Sequence, residues 1–434
     1  MNAIESLAAR IQTLPEAVRW LHAQSDVIHA LGSGRLPHRG PRTRIVDLML
    51  AVAAVIGAAR ISAAMGNLVG LIFICLRQFT VRGIEQPKGV LLVGINALRE
   101  PMLARYLEKI RGQQVWQLDE RYLISFAKYQ RLSLIGLLRE WAAVWWQIWP
   151  QLTTSSSSGG LPLKYCLAYL VTFGPSFIYL RLWFRSYLER DNANSGAIGF
   201  TTASQASFAA VSARARAIYL THGFVRRSLV LPEFLEVHCA NRFDADHFRA
   251  RLPSAIVATI PEASRALETR RIAVIAGDYW ENQEFDLCRT FIEWARQIKM
   301  PVIIRQHPAY RGSYWDQWRN VDGVEISEKA CDIDKFLGEI RPRMLATWFS
   351  TTLHDAVMSG IVPVTFVQDD FQIDDIVYPI REIASNWPAQ KAFLASIADD
   401  RSQSSAFVAK LLTTVTEDYR PETTERMVGA RAEI

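Results

Sequence analysis

Two short stretches carry the residues with the most chemistry to offer. Met300 to Tyr310 reads MPVIIRQHPAY, and Met344 to Val367 reads MLATWFSTTLHDAVMSGIVPVTFV. In the first, the β-branched run Val302-Ile303-Ile304 is apolar on both faces and too short for a helix, as a buried parallel strand should be. It runs into Arg305-Gln306-His307-Pro308, which sets an imidazole where the carboxyl end of the strand opens into a loop. In the second, an apolar strand (Met344 to Trp348) leads to the hydroxyl cluster Ser350-Thr351-Thr352, a helix, Gly360 and a further strand (Val362 to Val367). Ligands of open α/β sheets bind outside the carboxyl ends of the strands. A hydroxyl-rich turn entering a helix also offers backbone N–H groups to an anion. The pattern is that of a phosphate site with a histidine beside it. A single His-Pro is a weak signal, and the hydroxyl cluster can equally cap its helix, a role compatible with phosphate binding. His354 falls on another helix face and reads as structural.

The elements that must position these groups follow from the rest of the chain. Residues 1–35 look helical, and a basic loop with Pro37 and Pro41 follows to Arg44. Asp47 to Leu76 is the most apolar window, interrupted by Arg60 and Asn67. It is long enough for a bilayer span of ~20 residues, yet an arginine near its middle costs about 2.5 kcal/mol or more on insertion. Buried helices, a membrane-surface element and a true span all remain open. A Rossmann-like half starts at Pro87 with the strand Gly89 to Gly94 and a turn through Glu100 into a helix. A second strand, Gln114 to Leu118, ends at Asp119-Glu120. Tryptophan-rich helices, the connector TTSSSSGG (Thr153 to Gly160) and an aromatic, basic helix (Leu163 to Arg190) come next. A strand (Ala197 to Thr201), a helix (Ser204 to Arg216) and a strand (Ala217 to Leu220) end in Thr221-His222-Gly223. Short strands follow at Leu235 to Ala240 and Ala255 to Ile260. After a linker, Pro261 to Thr269, a new unit opens with the strand Ile272 to Gly277, then Asp278, and a helix Phe285 to Lys299. About thirty residues connect the two chemistry-bearing stretches. An acidic loop (Gln368 to Asp375) and C-terminal helices to about Thr416 close the chain. Alternation of strand and helix implies parallel sheets with right-handed crossovers.

Composition bounds the answer. A chain of 434 residues exceeds one ordinary core, and 50% hydrophobic against 21% charged residues excludes disorder. The net charge of +6 fits contact with an anionic lipid or nucleotide, and fits a solvated basic surface about as well. Five cysteines without a CxxC pattern read as a reducing compartment without structural zinc. The N-terminus has early acidic residues and reads as an amphipathic helix rather than a signal peptide. Neither GxGxxG nor GxxxxGK[ST] is present, which removes the main support for NAD-type and P-loop readings.

Two Rossmann-like halves, with His222-Gly223 ending a strand in one and His307-Pro308 plus Ser350-Thr351-Thr352 in the other, resemble the GT-B glycosyltransferases of bacterial surface polysaccharides. The likeness is nearest to capsule and lipopolysaccharide enzymes using CMP-activated sugars, the sialyl-, polysialyl- and Kdo-transferases, and to their polyol-phosphate relatives. It covers residues 195–370 well and the first 190 in outline. It implies an α/β fold of two Rossmann-like domains facing across a cleft, with an extra helical N-terminal region (1–86), an acceptor-side domain (87–262) and a donor-binding domain with C-terminal helices (263–434). It further implies that His307, Pro308, Ser350, Thr351 and Thr352 grip the nucleotide's phosphate, that Asp355 holds the ribose, and that Gly277 and Asp278 border the donor. The acidic-acidic-Gly motif that carries the base in several sialyltransferases is missing, so the resemblance assigns no base.

The chemistry asks for such groups on its own account. Transfer from a nucleotide sugar makes an oxocarbenium-like carbon and a phosphate leaving group that gains negative charge, and preorganised donors stabilise it. No DxD sits at a strand end, and Asp369-Asp370 and Asp374-Asp375 fall in a late loop; no metal and no cofactor is expected. Inverting transfer also needs one base on the facing domain. The strand-end candidates are Glu100, Asp119, Glu120 and His222. The expected partners are a nucleotide-sugar donor, a glycan or glycolipid acceptor and the inner face of a bacterial membrane, without nucleic acid. Two alternatives stand beside this: a CDP-alditol phosphotransferase or UDP-sugar transferase, and a non-catalytic membrane-associated adaptor.

Overall fold

The computed structural model describes residues 58–78, 90–94, 115–119, 132–154, 163–190, 197–221, 223–259, 268–277, 285–307, 312–327, 333–348, 350–366, 376–387 and 389–416, with isolated positions at 8, 9, 11–14, 19, 20, 106, 107, 110 and 310. The chain forms two compact units, one of Met1–Cys239 with Ala245–Ile260, the other of Ala240–Asp244 with Pro261–Ile434. Each is built on a six-stranded Rossmann-like sheet, so the α/β reading holds.

The first sheet consists of β1 (Val90–Gly94), β2 (Val115–Asp119), β3 (Ala197–Phe200), β4 (Arg216–Leu220), β5 (Glu236–Cys239) and β6 (Ile256–Thr259). Its order is β2-β1-β3-β4-β5-β6, with every pairing parallel. All of β1 is buried, as an apolar run covered on both faces requires. Between β2 and β3 the chain makes a layer of long helices, preceded in sequence by α1 (Ala59–Gln78) and formed with α2 (Leu134–Thr154) and α3 (Leu163–Arg190).

Small residues let α1 and α3 approach closely. A Cβ on Gly70 would lie 2.7 Å from Pro175 Cγ, and one on Gly174 would overlap Asn67 Nδ2. Asn67 is fully buried, donates to the Leu170 carbonyl at 2.5 Å, and its Oδ1 accepts from Trp145 Nε1 at 3.4 Å. One amide therefore ties all three helices together. A second tie is ionic. The buried Glu140 of α2 holds Arg181 Nε at 2.7 Å and Arg185 Nη1 at 2.8 Å, both on α3. Removing one partner from such a pair leaves an uncompensated buried charge, worth about 3–5 kcal/mol. Within α3, Cys166–Glu189 is long and apolar enough to cross a bilayer, but 67% of that window is covered by protein, which makes it a core helix. α4 (Gln205–Ser212) then leads from β3 to β4, and α5 (Arg242–Arg251) from β5 to β6.

The second sheet consists of β7 (Arg270–Ala276), β8 (Val302–Arg305), β9 (Val324–Ser327), β10 (Pro342–Thr347), β11 (Val362–Thr365) and β12 (Ser385–Asn386), in the order β12-β11-β10-β7-β8-β9, again all parallel. α6 (Phe285–Gln297) buries Cys288, Phe291, Ile292 and Ala295 at helical spacing. α7 (Ile333–Ile340) and α8 (Thr352–Met358) pack Phe336, Leu337 and Ala356 against Val274, Ile303 and Leu345 of the strands. α9 (Lys391–Asp399) and α10 (Arg401–Thr416) complete the unit. Among the described residues, three that are not glycine have left-handed backbone, Arg214, Lys299 and Arg341, and Cys166, Cys239 and Cys288 are buried thiols. Burial pushes the Cys166 thiol up to about 12.

Several sequence expectations are corrected. Arg60 does not interrupt a span: it lies in the first turn of α1, where its guanidinium donates to the Leu152 carbonyl at 3.1 Å. The connecting residues before Met344 contain β9 and α7, both short and amphipathic enough to read as loop. A helix, α5, separates the two short strands at 236–239 and 256–259. The helix expected to reach Arg216 ends at Ser212, because β4 claims Arg216. The expected features at 1–7, 21–57, 155–160 and 367–375 lie outside the described residues.

Two outcomes follow. Gly174→Ala should lower stability by ~1–3 kcal/mol despite alanine's better helix propensity, because Asn67 must give way; an unchanged urea midpoint would contradict this packing. Glu236 on β5 lies 3.4 Å from His238 Nε2 and 2.6 Å from Arg216 Nη2. The His238 contact first, then Arg216, hold its carboxyl at about 2 against the opposing effect of burial. An unfolded glutamate titrates near ~4.3, so its stabilisation is complete above that value and is lost as pH falls towards 2. Glu236→Gln should flatten the thermal midpoint over that acid window while leaving its dependence above pH 5 unchanged.

Candidate functional site

In the second unit the strand order reverses between β7 and β10: the chain runs outward from β7 to β8 and β9, then returns to β10 and β11 on the other side. At such a point two successive connections leave the carboxyl edge in opposite directions and open a crevice there. Gly277 directly follows β7, His307 stands two residues beyond β8, and Ser350, Thr351 and Thr352 follow β10. Strands lie about 4.8 Å apart, so the fold gathers these residues on one edge across three neighbouring strands. Gly277, His307 and Ser350–Thr352 thus follow neighbouring strands on one edge.

Local bonds fix the loops that carry them. The Gly277 N–H donates to Arg305 O at 2.9 Å, continuing the β7–β8 ladder one residue past the strand. A Cβ at 277 would lie 3.0 Å from Trp315 Cζ2, so the close approach that this glycine permits is made by a buried indole. Trp315 belongs to the 3-10 turn Tyr314–Trp318. The Tyr314 N–H donates to Tyr310 Oη, and the Tyr310 N–H donates to the His307 carbonyl, each at 2.9 Å. The half-buried His307 and Gly277 are therefore held by a single packed loop.

The hydroxyl turn differs from its expected form. α8 has only seven residues, and Thr351 at its start makes no side-chain cap. The Leu353 and His354 amides donate to the Ser350 and Thr351 carbonyls, so the helix-start donors expected to face an anion are partly spent on the turn itself. Ser350 Oγ accepts from the Thr352 amide at a long 3.4 Å. Thr352 Oγ1 is buried and has no hydrogen-bond partner among the described residues. Nearby hydroxyls that the sequence reading passed over stitch strand ends together: Thr347 Oγ1 donates to Ala276 O at 2.9 Å and Thr365 Oγ1 to Trp348 O at 2.6 Å.

Asp355 lies in the first turn of α8, beside a buried polar pair. His354 Nδ1 meets the Tyr378 hydroxyl at 3.0 Å. Burial, then the charges of Asp355 and Asp244, raise the Tyr378 phenol well above its usual range. The phenol stays protonated and shares one buried hydrogen bond with the His354 imidazole. Asp278 and Pro308 lie outside the described residues.

The first unit has a matching edge. Its order reverses between β1 and β3, where Gly94 ends β1 and Thr201-Thr202-Ala203-Ser204 leads from β3 into α4. The Thr201 N–H donates to Val93 O at 3.1 Å, and a Cβ at Gly94 would overlap Thr201 Oγ1. The hydroxyls of Thr201 and Ser204 are buried without a hydrogen-bond partner among the described residues, and Ser204 stands at the start of α4 without capping it through its side chain. Sequence reasoning missed this cluster, although the signal is the one it used at 350–352: hydroxyls between a strand and a helix. Of the candidate bases, Asp119 is the last residue of β2, and Glu100, Glu120 and His222 lie outside the described residues. Among the described residues, no three His, Cys, Asp or Glu side chains form a group that could hold a metal ion.

Neither the family models nor the curated proteins contain a match to this chain. Among solved structures it is similar to the UDP-GlcNAc 2-epimerase from Neisseria meningitidis bound to UDP-GlcNAc, at 11% identity and a TM-score of 0.44, over 74% of this chain and 94% of that one. It is similar to CalG4, the calicheamicin glycosyltransferase, at 10% identity and a TM-score of 0.42, over 80% and 98%. It is also similar to the wall teichoic acid polymerase TagF in its H444N variant, at 8% identity and a TM-score of 0.41, over 86% and 93%. These are general resemblances of architecture.

The partnerless hydroxyls give a test with an unusual sign. Burying a polar group without a partner costs about 1–3 kcal/mol, so Thr352→Val and Thr201→Val should each leave stability unchanged or raise it by up to that amount. Urea unfolding measures this, and a clear loss of stability would mean that the hydroxyl is already satisfied within the fold.

Proposed function

We propose that the chain is a GT-B-type glycosyltransferase that binds a nucleotide-sugar donor at the carboxyl edge of its second sheet. The observation that carries this reading is the convergence of Gly277, His307 and the Ser350–Thr352 turn around a strand-order reversal, with a buried, partnerless Thr352 hydroxyl among them. His307, the hydroxyls and the remaining turn amides would meet the phosphate of the leaving nucleotide, where charge grows as the glycosidic bond breaks. A CMP-linked sugar is the favoured donor, and a cell-surface glycan or glycolipid the favoured acceptor. The acceptor would lie on the first unit near Gly94, Thr201 and Ser204. In this reading the transfer inverts configuration, needs no metal, and draws its base from Glu100, Asp119, Glu120 or His222.

We also propose that the protein works at the inner face of a bacterial membrane, held peripherally. Supporting this is the outer side of the helical layer. Ile61, Met65, Val69, Phe73 and Leu76 of α1 recur at helical spacing and are exposed, with no charge among them. On α2, Ile135 and Leu138 are exposed, and Trp146 is 84% exposed. Large apolar stripes of this kind mark an interaction surface, and an exposed tryptophan suits the water–lipid boundary.

A nucleotide panel tests the enzymatic reading. CMP should raise the melting temperature of the wild type by mass action. His307→Ala should weaken that binding roughly tenfold or more, the scale of a hydrogen bond to a charged group, and should abolish CMP release from a CMP-sugar. Stabilisation by CDP or UDP in place of CMP would move the reading to an alditol-phosphate or UDP-sugar enzyme. Absence of stabilisation by all three would favour the adaptor.

A further inference from the structure

The first unit contains a cavity of about 650 Å³ lined by Gln147 of α2, Arg181, Arg185 and Glu189 of α3, and Ser212 and Arg214 at the end of α4. It lies away from the edge described above. α4 starts at the carboxyl end of β3 and runs back to the amino end of β4, so Ser212 to Arg214 belong to the amino edge of the sheet. A ligand there is a separate ligand.

The lining is built for an anion. Arg181 is 5% exposed; its Nε faces Glu140, and its Nη1 has no hydrogen-bond partner among the described residues. Arg185 shares Glu140 and remains partly exposed. Arg214 adds a third guanidinium. Against these stand the carboxylates of Glu140 and Glu189, which leaves one positive charge in excess. The position of Arg214 is informative. The Arg214 amide donates to Val211 O and the Ala215 amide to Ala210 O, the bonding of a Schellman cap. Its φ of 65° is one that glycine adopts without strain and a branched chain does not. Lys299 and Arg341 share this left-handed conformation. Gln147 on the cavity wall belongs to α2, the helix that also carries the exposed Trp146.

We infer that this cavity binds the phosphodiester headgroup of an anionic membrane lipid, with Arg181, Arg185 and Arg214 on the phosphate and Trp146 at the level of the headgroups. This rests on the peripheral-membrane reading given above and deepens it, by adding to an apolar face a site that reads charge. Guanidinium forks match phosphate oxygens in pairs, and a single phosphodiester charge balances the single excess charge of the lining.

The test is co-sedimentation of the full chain with vesicles of phosphatidylcholine alone and of phosphatidylcholine with phosphatidylglycerol. The wild type should bind both, and the second more tightly. Arg214→Gly removes a guanidinium and relieves its backbone, so the fold should survive; thermal melting verifies this. That variant and Arg185→Gln should each reduce the gain from phosphatidylglycerol by about fivefold, the scale for one basic residue at a lipid surface, with binding to phosphatidylcholine unchanged. Trp146→Ala should weaken binding to both. An undiminished gain in both arginine variants overturns the inference while leaving the membrane reading intact. Failure of the wild type to bind any vesicle overturns both. Thermal stabilisation of the wild type, and not of Arg214→Gly, by soluble glycerol phosphate without vesicles would give the cavity to a free phosphate ester and overturn the lipid assignment.

Discussion

The reversal of strand order in a parallel sheet is the constraint on which the rest of this protein depends. Within each sheet every strand runs parallel to its neighbours, so each sheet has one edge where all its strands end. A reversal is the one place on that edge where loops diverge and leave room. The second unit has a glycine and a hydroxyl turn at its reversal, with a histidine on the next strand. The first unit repeats glycine and hydroxyls at its own reversal. Neither set depends on a long motif. Each needs only small or hydroxylated residues in the first few positions after a strand, where backbone geometry already aims them outward.

The helical layer of the first unit is governed by different physics. α3 is apolar enough to belong in lipid, yet protein covers most of it. What keeps it there is close contact at Gly70 and Gly174 and two polar ties that cross between helices, the Asn67 amide and the Glu140 ion pairs. Such ties fix register, since sliding α1 or α2 by one turn would leave a buried amide or carboxylate unsatisfied. The apolar character that α3 hides reappears on the outward sides of α1 and α2.

Much of this was legible in the sequence because periodicity reports burial. The runs at 90–94, 197–200, 272–276, 302–304 and 344–347 are strands where expected, since unbroken apolar runs bounded by turns have few other uses. β9 and α7 escaped because an edge strand and a two-turn helix bury too little to leave a clear pattern. Arg60 misled for a related reason: a charge amid apolar residues looks central until the start of the helix is known. The cluster at 201–204 was overlooked because attention went to acidic groups and histidine as candidate bases. Hydroxyls were weighed only where a histidine lay nearby. The meaning of Gly277 could not be read at all, since the indole it accommodates comes from Trp315, far along the chain.

The three buried thiols have a use of their own. Cys166 lies in the helical layer, Cys239 at the end of β5, and Cys288 on α6 of the second unit. Each is shielded in the folded protein, and Cys166 is also held protonated by its surroundings. An alkylating reagent can reach any of them only when the part that covers it opens. Among the described residues these thiols thus act as clocks for three regions, by which the order of their opening could be timed from the rate at which each is modified.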